Sequence, residues 1–275
     1  MVEKLDKDRG EFLTTHVLIA CSKSKVAPPE ERLIWTSSTV LESWNEEWHD
    51  QKTTFRADEL YTGRSFKQQL KIATSSEDVK LYIISAGAGL IPFNVEIPSY
   101  ESTFRPRMGP RVTEWHLLPF GGVTNLELDP SDAIISFAPP KYHQALLNDP
   151  DINSIKDQLI VPSTSPLSSI ASSTIQIHPR AKEVLGIGSS DLNTEFLRMF
   201  LSNGLSDFQS MVKKGDNLPP KVDRKPISDQ DLLSLVQSLK SIKTLNGLVR
   251  HLRDKLKIKA SVERISAARK LTNGE

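Results

Sequence analysis

The sequence has one cysteine, Cys21, among its 275 residues. A single cysteine excludes an internal disulfide and a cysteine-rich zinc site, and makes the cytoplasm the natural compartment. No window approaches the roughly 18 consecutive apolar residues of a membrane span, and no apolar stretch follows the charged N-terminus as it would in a secretory signal. The six histidines lack His-x3-His or His-Glu-x-x-His spacing, so we expect no metal centre. No feature demands a cofactor.

What is present is typical of a soluble globular protein. Lys and Arg number 35 and Asp and Glu 34, with 38% hydrophobic and 25% charged residues, which excludes a disordered chain, a collagen or a coiled-coil rod. At about 100 to 200 residues per domain, the length predicts either one α/β domain or a domain of about 200 residues with a small appendage.

The near-zero net charge hides an asymmetry between the two ends of the chain. Lys213–Glu275 holds 15 basic against 7 acidic residues, whereas the remainder holds 20 basic against 27 acidic. A basic tail favours a polyanionic partner, the alternative being a solvated lysine-rich surface. A polar, proline-containing stretch, Lys213–Pro226, is typical of a linker. We place the boundary near residue 220 and predict domains 1–215 and 226–275.

The predicted C-terminal domain reads as basic and helical. Ser228 is a candidate helix N-cap, and two apolar runs follow at helical spacing, Leu232–Leu239 and Leu245–Leu256. Basic residues lie between the apolar positions, and small basic helical modules often bind nucleic acid through phosphates. The predicted phosphate contacts in this domain are Arg250, Arg253 and Lys257.

Four short, continuous apolar runs dominate the first 165 residues: His16–Cys21, Leu81–Ser85, Asp132–Phe137 and Gln158–Val161. Each is too short for a helix and lacks alternation, which is typical of strands buried on both faces of a parallel sheet. The predicted fold class is therefore α/β, with a four-stranded parallel sheet flanked by helices.

Polar or small residues follow each predicted strand: Ser22–Lys25, Ala86–Pro92, Ala138–His143 and Pro162–Leu167. Ligands of open α/β sheets bind outside the carboxyl ends of the strands. We therefore expect these four loops to converge on one edge that carries the functional site.

Several segments, in this order, carry a resemblance: Cys21–Lys25, Ala57–Gly63, Ile84–Pro92, Ile97–Phe104 and Leu192–Arg198. Together they resemble a family of bacterial and phage proteins related to the peroxide-stress DNA-binding protein YaaA and to the uracil-DNA-glycosylase-like domain of archaeosine synthase. The resemblance spans roughly residues 16 to 210. It implies a uracil-DNA-glycosylase-like fold and work on nucleic-acid bases. The member type that fits best is an anti-phage DNA glycosylase that removes glucosylated hydroxymethylcytosine. The water-activating Gly-Gln-Asp-Pro-Tyr motif of uracil glycosylases has no clear counterpart here.

Cleavage of an N-glycosidic bond passes through an oxocarbenium-like state that a carboxylate can stabilise. Glu101, next to Tyr100 in the loop after the second strand, is the first candidate and Asp58 the second. A helix cap or a surface ion pair is the alternative for either. His143 is a candidate to protonate or hydrogen-bond the base or sugar, or is structural.

Other candidates concern phosphate and base binding. Backbone N–H groups and lysines after the first strand can hold phosphate; the predicted contacts are Ser22, Lys23, Ser24, Lys25, Arg64 and Lys141. An exposed basic turn is the alternative. Cys21 reads as core more readily than as a nucleophile. The predicted base pocket contains Tyr61 and Tyr100 as stacking rings, with core packing as the alternative for Tyr61, together with Ser85 and Gly87.

The sequence thus predicts a DNA N-glycosylase that excises a modified base, leaves an abasic site and serves phage defence. Two rivals stay open: a non-catalytic DNA-binding stress protein, and an enzyme acting on a free nucleoside or nucleotide. The expected partner is DNA with modified bases, without a membrane, and the oligomeric state stays undetermined.

Overall fold

The structure is a computed structural model that describes residues 14–163, 174–204, 206–218 and 224–273. Its centre is a six-stranded sheet with the spatial order β4-β3-β1-β6-β7-β8. The strands are β1 (Thr15–Ala20), β3 (Val79–Ser85), β4 (Gly89–Pro92), β6 (Ala133–Ser136), β7 (Leu159–Ser163) and β8 (Thr174–Gln176), with β2 (Phe55–Arg56) and β5 (Glu96–Ile97) forming a separate antiparallel pair.

The central strand β1 pairs in parallel with β3 on one side, Val17 opposite Leu81, and with β6 on the other, Val17 opposite Ile135. All three side chains are almost fully buried, as expected for a parallel sheet covered on both faces. The predicted α/β class and its four parallel strands are confirmed. The prediction missed two strands: β8, parallel to β7, and β4, antiparallel to β3.

Helices fill the connections between the strands. They are α1 (Leu41–His49), α2 (Ala57–Leu60), α3 (Arg64–Ala73), α4 (Pro140–Leu147), α5 (Ala181–Leu185), α6 (Leu192–Asn203) and α7 (Ser206–Asp216), with short 3-10 turns at Glu31–Leu33, Val112–Leu117, Val123–Asn125 and Ile152–Ser154. Helix α3 packs against α6 and β1, and α4 packs against the 3-10 turn Val112–Leu117. Of the described helices, none is long and apolar enough to cross a membrane.

The chain divides into two compact units, Met1–Leu218 and Pro219–Glu275. The second unit contains β9 (Lys225–Pro226), α8 (Asp229–Ser238), α9 (Leu245–Arg250), a wide helical turn (His251–Lys255), β10 (Ile258–Lys259) and α10 (Val262–Asn273). As predicted, Ser228 caps α8: its Oγ accepts the backbone N–H of Asp231 at 3.1 Å, a stabilising cap. A small apolar core around Leu232, Leu252 and Ile265 holds this unit together.

A buried histidine–aspartate hydrogen bond lies at the amino-terminal part of the sheet. His16 on β1 donates from Nε2 to Asp132 Oδ2 at 3.0 Å, and both side chains are almost fully buried. Burial lowers the pKa of His16, because the charged ring loses its hydration. Although burial opposes its ionisation, hydrogen bonds from the Asp129 backbone and from His16 lower the pKa of Asp132.

Candidate functional site

A cavity of about 550 Å³ opens where β1, β6 and β7 end. Its lining includes Cys21 after β1, Phe137 after β6 and Pro162 in β7. This is the sheet edge at which open α/β folds bind ligands, and three of the four predicted strand ends meet there. The remainder of the fourth loop, residues 164–167, lies outside the described residues.

Three phenylalanines wall this cavity: Phe66 of α3, Phe137 after β6 and Phe196 of α6. Each ring is at least nine-tenths buried. Aromatic rings behind two of them fix their positions, since Phe200 lies 6.1 Å from Phe137 and Phe208 lies 5.7 Å from Phe196. The cavity therefore has flat, rigid apolar walls, which suit a planar ring.

Gln69 contributes an amide to the same cavity. It lies one turn inside α3 on the stripe that also buries Phe66 and Ala73, and only 4% of its surface is exposed. Among the described residues its amide has no hydrogen-bond partner. The amide atoms are not among the fully buried polar atoms that lack a partner, so they open onto the cavity, where they can donate to and accept from the polar edge of a ligand. Asn193, at the start of α6, adds a second, half-buried amide.

His143 lines the cavity from α4 and is neutral at pH 7. Burial lowers its pKa to about 4, and Nε2 lies 3.0 Å from Ser136 Oγ and 3.3 Å from the Ser136 carbonyl. A carbonyl only accepts, so Nε2 carries the proton and Nδ1 is left as an acceptor. The uncharged ring is a poor proton donor at neutral pH, which favours the hydrogen-bonding role over the protonating role.

The rim of the cavity is cationic. Lys23 and Arg64 line it with side chains that are 70% and 79% exposed, and their nearest acidic partners, Glu101 and Asp191, lie 3.9 Å and 3.8 Å away. Helices α3, α4 and α6 all begin at this rim. Helix N-termini attract anions, so the rim suits a phosphate next to the enclosed ring site.

Ser22 shapes this rim. Its Oγ accepts the backbone N–H groups of Ser24 and Gly63, both at 3.1 Å. A Cβ at Gly63 would lie 2.2 Å from that oxygen, so only glycine permits the approach. The backbone of Ser24 accepts the N–H of Thr62 at 2.9 Å. These two serines join the loop after β1 to the start of α3.

A second cavity of about 290 Å³ shares Lys23 with the first. Its lining includes Lys25, Tyr100 and Glu101. Lys25 Nζ lies 4.4 Å from the Tyr100 ring, and burial lowers the pKa of this amine. Glu101 is held by its backbone, which donates to Leu33 at 2.8 Å. Its carboxylate is 40% exposed and lies 3.9 Å from the amine of Lys23, which also lines the 550 Å³ cavity.

The predicted base pocket, by contrast, is a buried hydroxyl network. Tyr100 OH lies 2.6 Å from Tyr61 OH and 2.5 Å from Ser85 Oγ, and both rings are almost fully buried. Burial raises the pKa of both phenols, so they stay protonated. A Cβ at Gly87 would lie 2.5 Å from the Tyr100 ring, so this glycine admits a tyrosine. None of these four residues lines the 550 Å³ cavity.

Asp58 lies away from both cavities, in α2. Its carboxylate accepts two hydrogen bonds from Arg56, at 3.1 Å and 2.8 Å. Its backbone N–H donates to Phe93 at 2.8 Å, and its carbonyl accepts from Lys67 at 2.7 Å. The structure places Asp58 as an anchor of α2, the ion-pair alternative of the sequence analysis.

The remaining predicted phosphate contacts differ in exposure. Lys141 follows Pro140 on α4 and is exposed outside the cavity. In the second unit Arg250 and Lys257 are also exposed. Arg253 instead donates from Nη2 to the Ala260 carbonyl at 2.9 Å, which ties the wide helical turn to the segment before α10.

Comparisons with known proteins give a family match and no named relative. Residues 48–163 match DUF6884, a family of unknown function. The matched segment includes Gln69, Tyr100, Glu101 and His143, and ends before α6. No curated protein and no solved structure gives a significant match to the chain.

Proposed function

We propose that the first unit is an N-glycosylase that removes a modified base from DNA and leaves an abasic site. The observation that carries the proposal is Gln69, a largely buried residue that lines a cavity walled by three phenylalanines and whose amide, among the described residues, has no hydrogen-bond partner. A nucleobase offers what this cavity lacks: a planar face for the rings and a donor–acceptor edge for the amide. Glucosylated hydroxymethylcytosine of phage DNA, in a phage-defence role, is the substrate that the family resemblance implies.

The cationic rim supports a nucleotide that is still part of a strand. Lys23 and Arg64 stand at the mouth, where the phosphates flanking an extruded nucleotide would lie. Extrusion costs a few kcal/mol of stacking and pairing, which contacts with the flipped base and its phosphates offset. A cavity that contacts the base, with cations at its mouth that contact the phosphates, provides both kinds of contact.

Glu101 supplies the charge that bond cleavage needs. As the N-glycosidic bond breaks, positive charge develops on the sugar, and a carboxylate beside it lowers the barrier. Glu101 also accepts a proton from the attacking water. The water oxygen bonds to the anomeric carbon, the bonding electrons leave with the base, and the proton ends on the base. Lys23 Nζ lies 3.9 Å from Glu101 Oε1, which places a cation and the carboxylate together at the cavity mouth.

The test is incubation of the full chain with genomic DNA that is unmodified, methylated, hydroxymethylated or glucosylated. Mass spectrometry identifies released bases, and an abasic-site assay counts the lesions. We expect release from one substrate class. Glu101→Gln should reduce the rate of release by 100-fold or more, since carboxylate catalysis typically contributes about 10² to 10⁴. The matched control is Glu96→Gln, an exposed glutamate on β5, which should release bases at the wild-type rate.

Gln69→Leu separates base recognition from chemistry. It keeps the volume and removes the amide, so we expect a weaker discrimination between modified and ordinary bases, about 1 to 3 kcal/mol of selectivity. Absence of base release from every DNA, with salt-sensitive binding retained, would favour the non-catalytic DNA-binding function.

A second candidate, hydrolysis of a free nucleotide, draws on the three helix N-termini at the rim. It predicts base release from nucleoside monophosphates at rates that DNA does not approach. The same mass-spectrometric assay, run on free nucleotides, distinguishes the two.

A further inference from the structure

A third depression, of about 810 Å³, lies in the first unit beside the 550 Å³ cavity, which we call the base cavity after its proposed occupant. Two chain segments line it, Trp35–Glu42 and Phe104–Leu117, together with Lys141 of α4. We call it the arginine groove, after Arg105, Arg107 and Arg111 in its lining.

The arginine groove carries more cations than carboxylates. Arg105, Arg107 and Lys141 are exposed, and among the described residues none has an ion-pair or side-chain hydrogen-bond partner. Arg111 approaches Glu114 only at 4.0 Å. Four cations thus face two carboxylates, Glu114 and Glu42, in the lining. Unpaired guanidinium groups in a concave surface attract anions, with a geometry that matches phosphate oxygens.

The turn that carries two of these arginines is fixed by its own backbone. Arg107 has a left-handed backbone, φ 65°, which costs a non-glycine residue free energy unless its surroundings impose it. Here Met108 N–H donates to the Arg105 carbonyl at 3.0 Å, and Thr103 N–H donates to the Met108 carbonyl at 2.7 Å. The strained turn therefore presents Arg105 and Arg107 in a set arrangement.

Apolar side chains lie exposed among these cations. Val40 and Leu117 line the groove at 55% and 50% exposure, and Met108, next to Arg107, is 37% exposed. Alternating cations and apolar surface suit a strand whose phosphates and base faces both need contacts. An acidic peptide would use the cations and leave the apolar surface without a comparable partner.

The groove and the base cavity are neighbours. Phe104, in the groove lining, meets the Tyr142 ring edge-on at 5.0 Å, and Tyr142 OH lies 3.5 Å from Cys21 Sγ in the cavity lining. Lys141 of the groove directly follows Pro140 of the cavity. One side-chain layer, centred on Tyr142, separates the two.

We propose that the arginine groove binds the phosphate backbone of the nucleic-acid strand whose extruded nucleotide occupies the base cavity. This inference rests on the proposed function and names the surface that holds the rest of the substrate. Arg105 and Arg107 contact phosphates, while Lys141 holds the strand where it leaves the groove for the cavity.

The test measures DNA affinity of the full chain between about 50 and 200 mM salt. Fluorescence anisotropy with a short oligonucleotide, single-stranded or duplex, gives the slope of log K against log salt. Each lost phosphate contact should reduce the slope by roughly 0.7 to 0.9. We therefore expect Arg105→Gln/Arg107→Asn to reduce it by roughly 1.5 and to weaken binding at least tenfold at the lower salt. Asparagine at 107 tolerates the left-handed backbone.

The matched control is Lys71→Gln/Lys80→Gln. It removes two exposed charges at the end of α3 and the start of β3, away from the sheet edge that carries the cavity, and should leave the slope at the wild-type value. Lys141→Gln is an independent variant on α4, outside the turn that carries the two arginines. We expect it to lower the slope by roughly 0.7 to 0.9, the value for one phosphate contact. It tests the groove even if the double variant fails to fold, which circular dichroism detects.

An unchanged slope in the folded groove variants would overturn the proposal, as would binding of the wild type to anionic vesicles or acidic peptides in preference to DNA. Measuring base release distinguishes failure of the groove proposal from failure of the proposed function. Release with an unchanged KM in the groove variants would reject the groove and keep the glycosylase. No release by the wild type, with groove-dependent DNA binding, would keep the groove and reject the glycosylase.

Discussion

At the scale of single residues, two buried histidines link the stability of the first unit to pH. Burial lowers the pKa of His16 and, to about 4, that of His143. Both rings are therefore neutral in the folded chain, whereas in the unfolded chain they bind protons below their ordinary pKa of 6.5. A lowered histidine pKa means that the unfolded state takes up more protons, so stability is lost as pH falls.

We expect the free energy of unfolding to decrease on acidification from pH 7, in a window that opens near 6.5 and extends towards 4 for His143. One unit of pH is worth roughly 1.4 kcal/mol per group in that window, so His143 accounts for roughly 2 kcal/mol between pH 7 and 5. Urea unfolding at the two pH values measures this. His143→Gln should reduce the difference by about that amount, and equal stabilities at both pH values would contradict the assignment.

Tyr100→Phe tests the buried hydroxyl network. Tyr100 OH is the shared partner of Tyr61 and Ser85, and its removal leaves both with a poorer partner in a dry core. We expect a loss of about 1 to 3 kcal/mol in urea unfolding. Tyr82→Phe is the control, because among the described residues Tyr82 OH has no hydrogen-bond partner, and this variant should change stability by no more than about 0.5 kcal/mol. Equal effects would argue against the network.

The contacts of single residues are the part of the site that a sequence pattern specifies least. Motif order drew attention to Tyr61, Gly87 and Tyr100, but in the structure these residues pack on one another. Gln69 was missed because a glutamine in a polar helix resembles a solvated residue. The sequence feature that indicates burial of Gln69 is its spacing, three residues after Phe66 and four before Ala73, which places it on the buried stripe of α3. That stripe reveals burial, but only tertiary structure reveals what the amide faces.

At the scale of elements, the strand–turn–strand from β3 to β4 holds the carboxyl edge of the sheet in place. Three side-chain donors fix the carbonyls of its turn: Trp115 to Ser85, Ser102 to Ala86 and Trp44 to Gly87, at 2.8 to 2.9 Å. The prediction took Ala86–Pro92 for a loop because glycines and a proline frame only two apolar residues. Proline is tolerated at the end of an edge strand, and the pairing with β3 is what makes the segment a strand. The four buried strands, in contrast, follow from their own sequences.

Gly87→Ala tests the packing of this turn. The new Cβ would lie 2.5 Å from Tyr100 and 3.1 Å from Trp44, and such overpacking typically costs about 1 to 3 kcal/mol. Gly188→Ala is the matched control, since its Cβ would meet nothing closer than 3.6 Å, and we expect it to be neutral or slightly stabilising. Thermal unfolding of the two variants measures the contrast, and similar midpoints would show that Tyr100 can move aside.

At the scale of the whole molecule, the excess positive charge of the second unit is divided by residue type. Four arginines make contacts inside that unit: Arg224 pairs with Asp254, Arg264 with Asp229, and Arg253 and Arg269 donate to backbone carbonyls, whereas Arg250 is exposed. Lysines are exposed and, among the described residues, unpaired: Lys240, Lys243, Lys255, Lys257, Lys259 and Lys270. Composition predicted the charge asymmetry but could not separate structural from exposed cations, because both occupy helix surfaces in the sequence pattern.

We predict that Arg250→Gln/Lys257→Gln lowers the salt dependence of DNA binding by roughly 0.9 per lost duplex contact while leaving the unfolding transition within about 0.5 kcal/mol of wild type. Arg253→Gln should instead destabilise the second unit, because the Ala260 carbonyl loses its donor. Anisotropy titrations and urea unfolding on the same samples give both values. A salt slope unaffected by the exposed pair would assign DNA binding to the first unit alone.

The order of strands in the sheet also constrains how the protein is made. Strand β1 is the first of the described strands in the sequence. Its neighbours in the sheet are β3, with Thr15 opposite Val79, and β6, with Thr15 opposite Ala133. During synthesis the backbone N–H and C=O groups of β1 therefore have no strand partner until β3 and β6 have been made. Phe196, which lines the 550 Å³ cavity, is translated later still. Contacts so distant in sequence slow folding, and the order of synthesis makes the cavity wall available only after the strands β1, β3 and β6 of the central sheet.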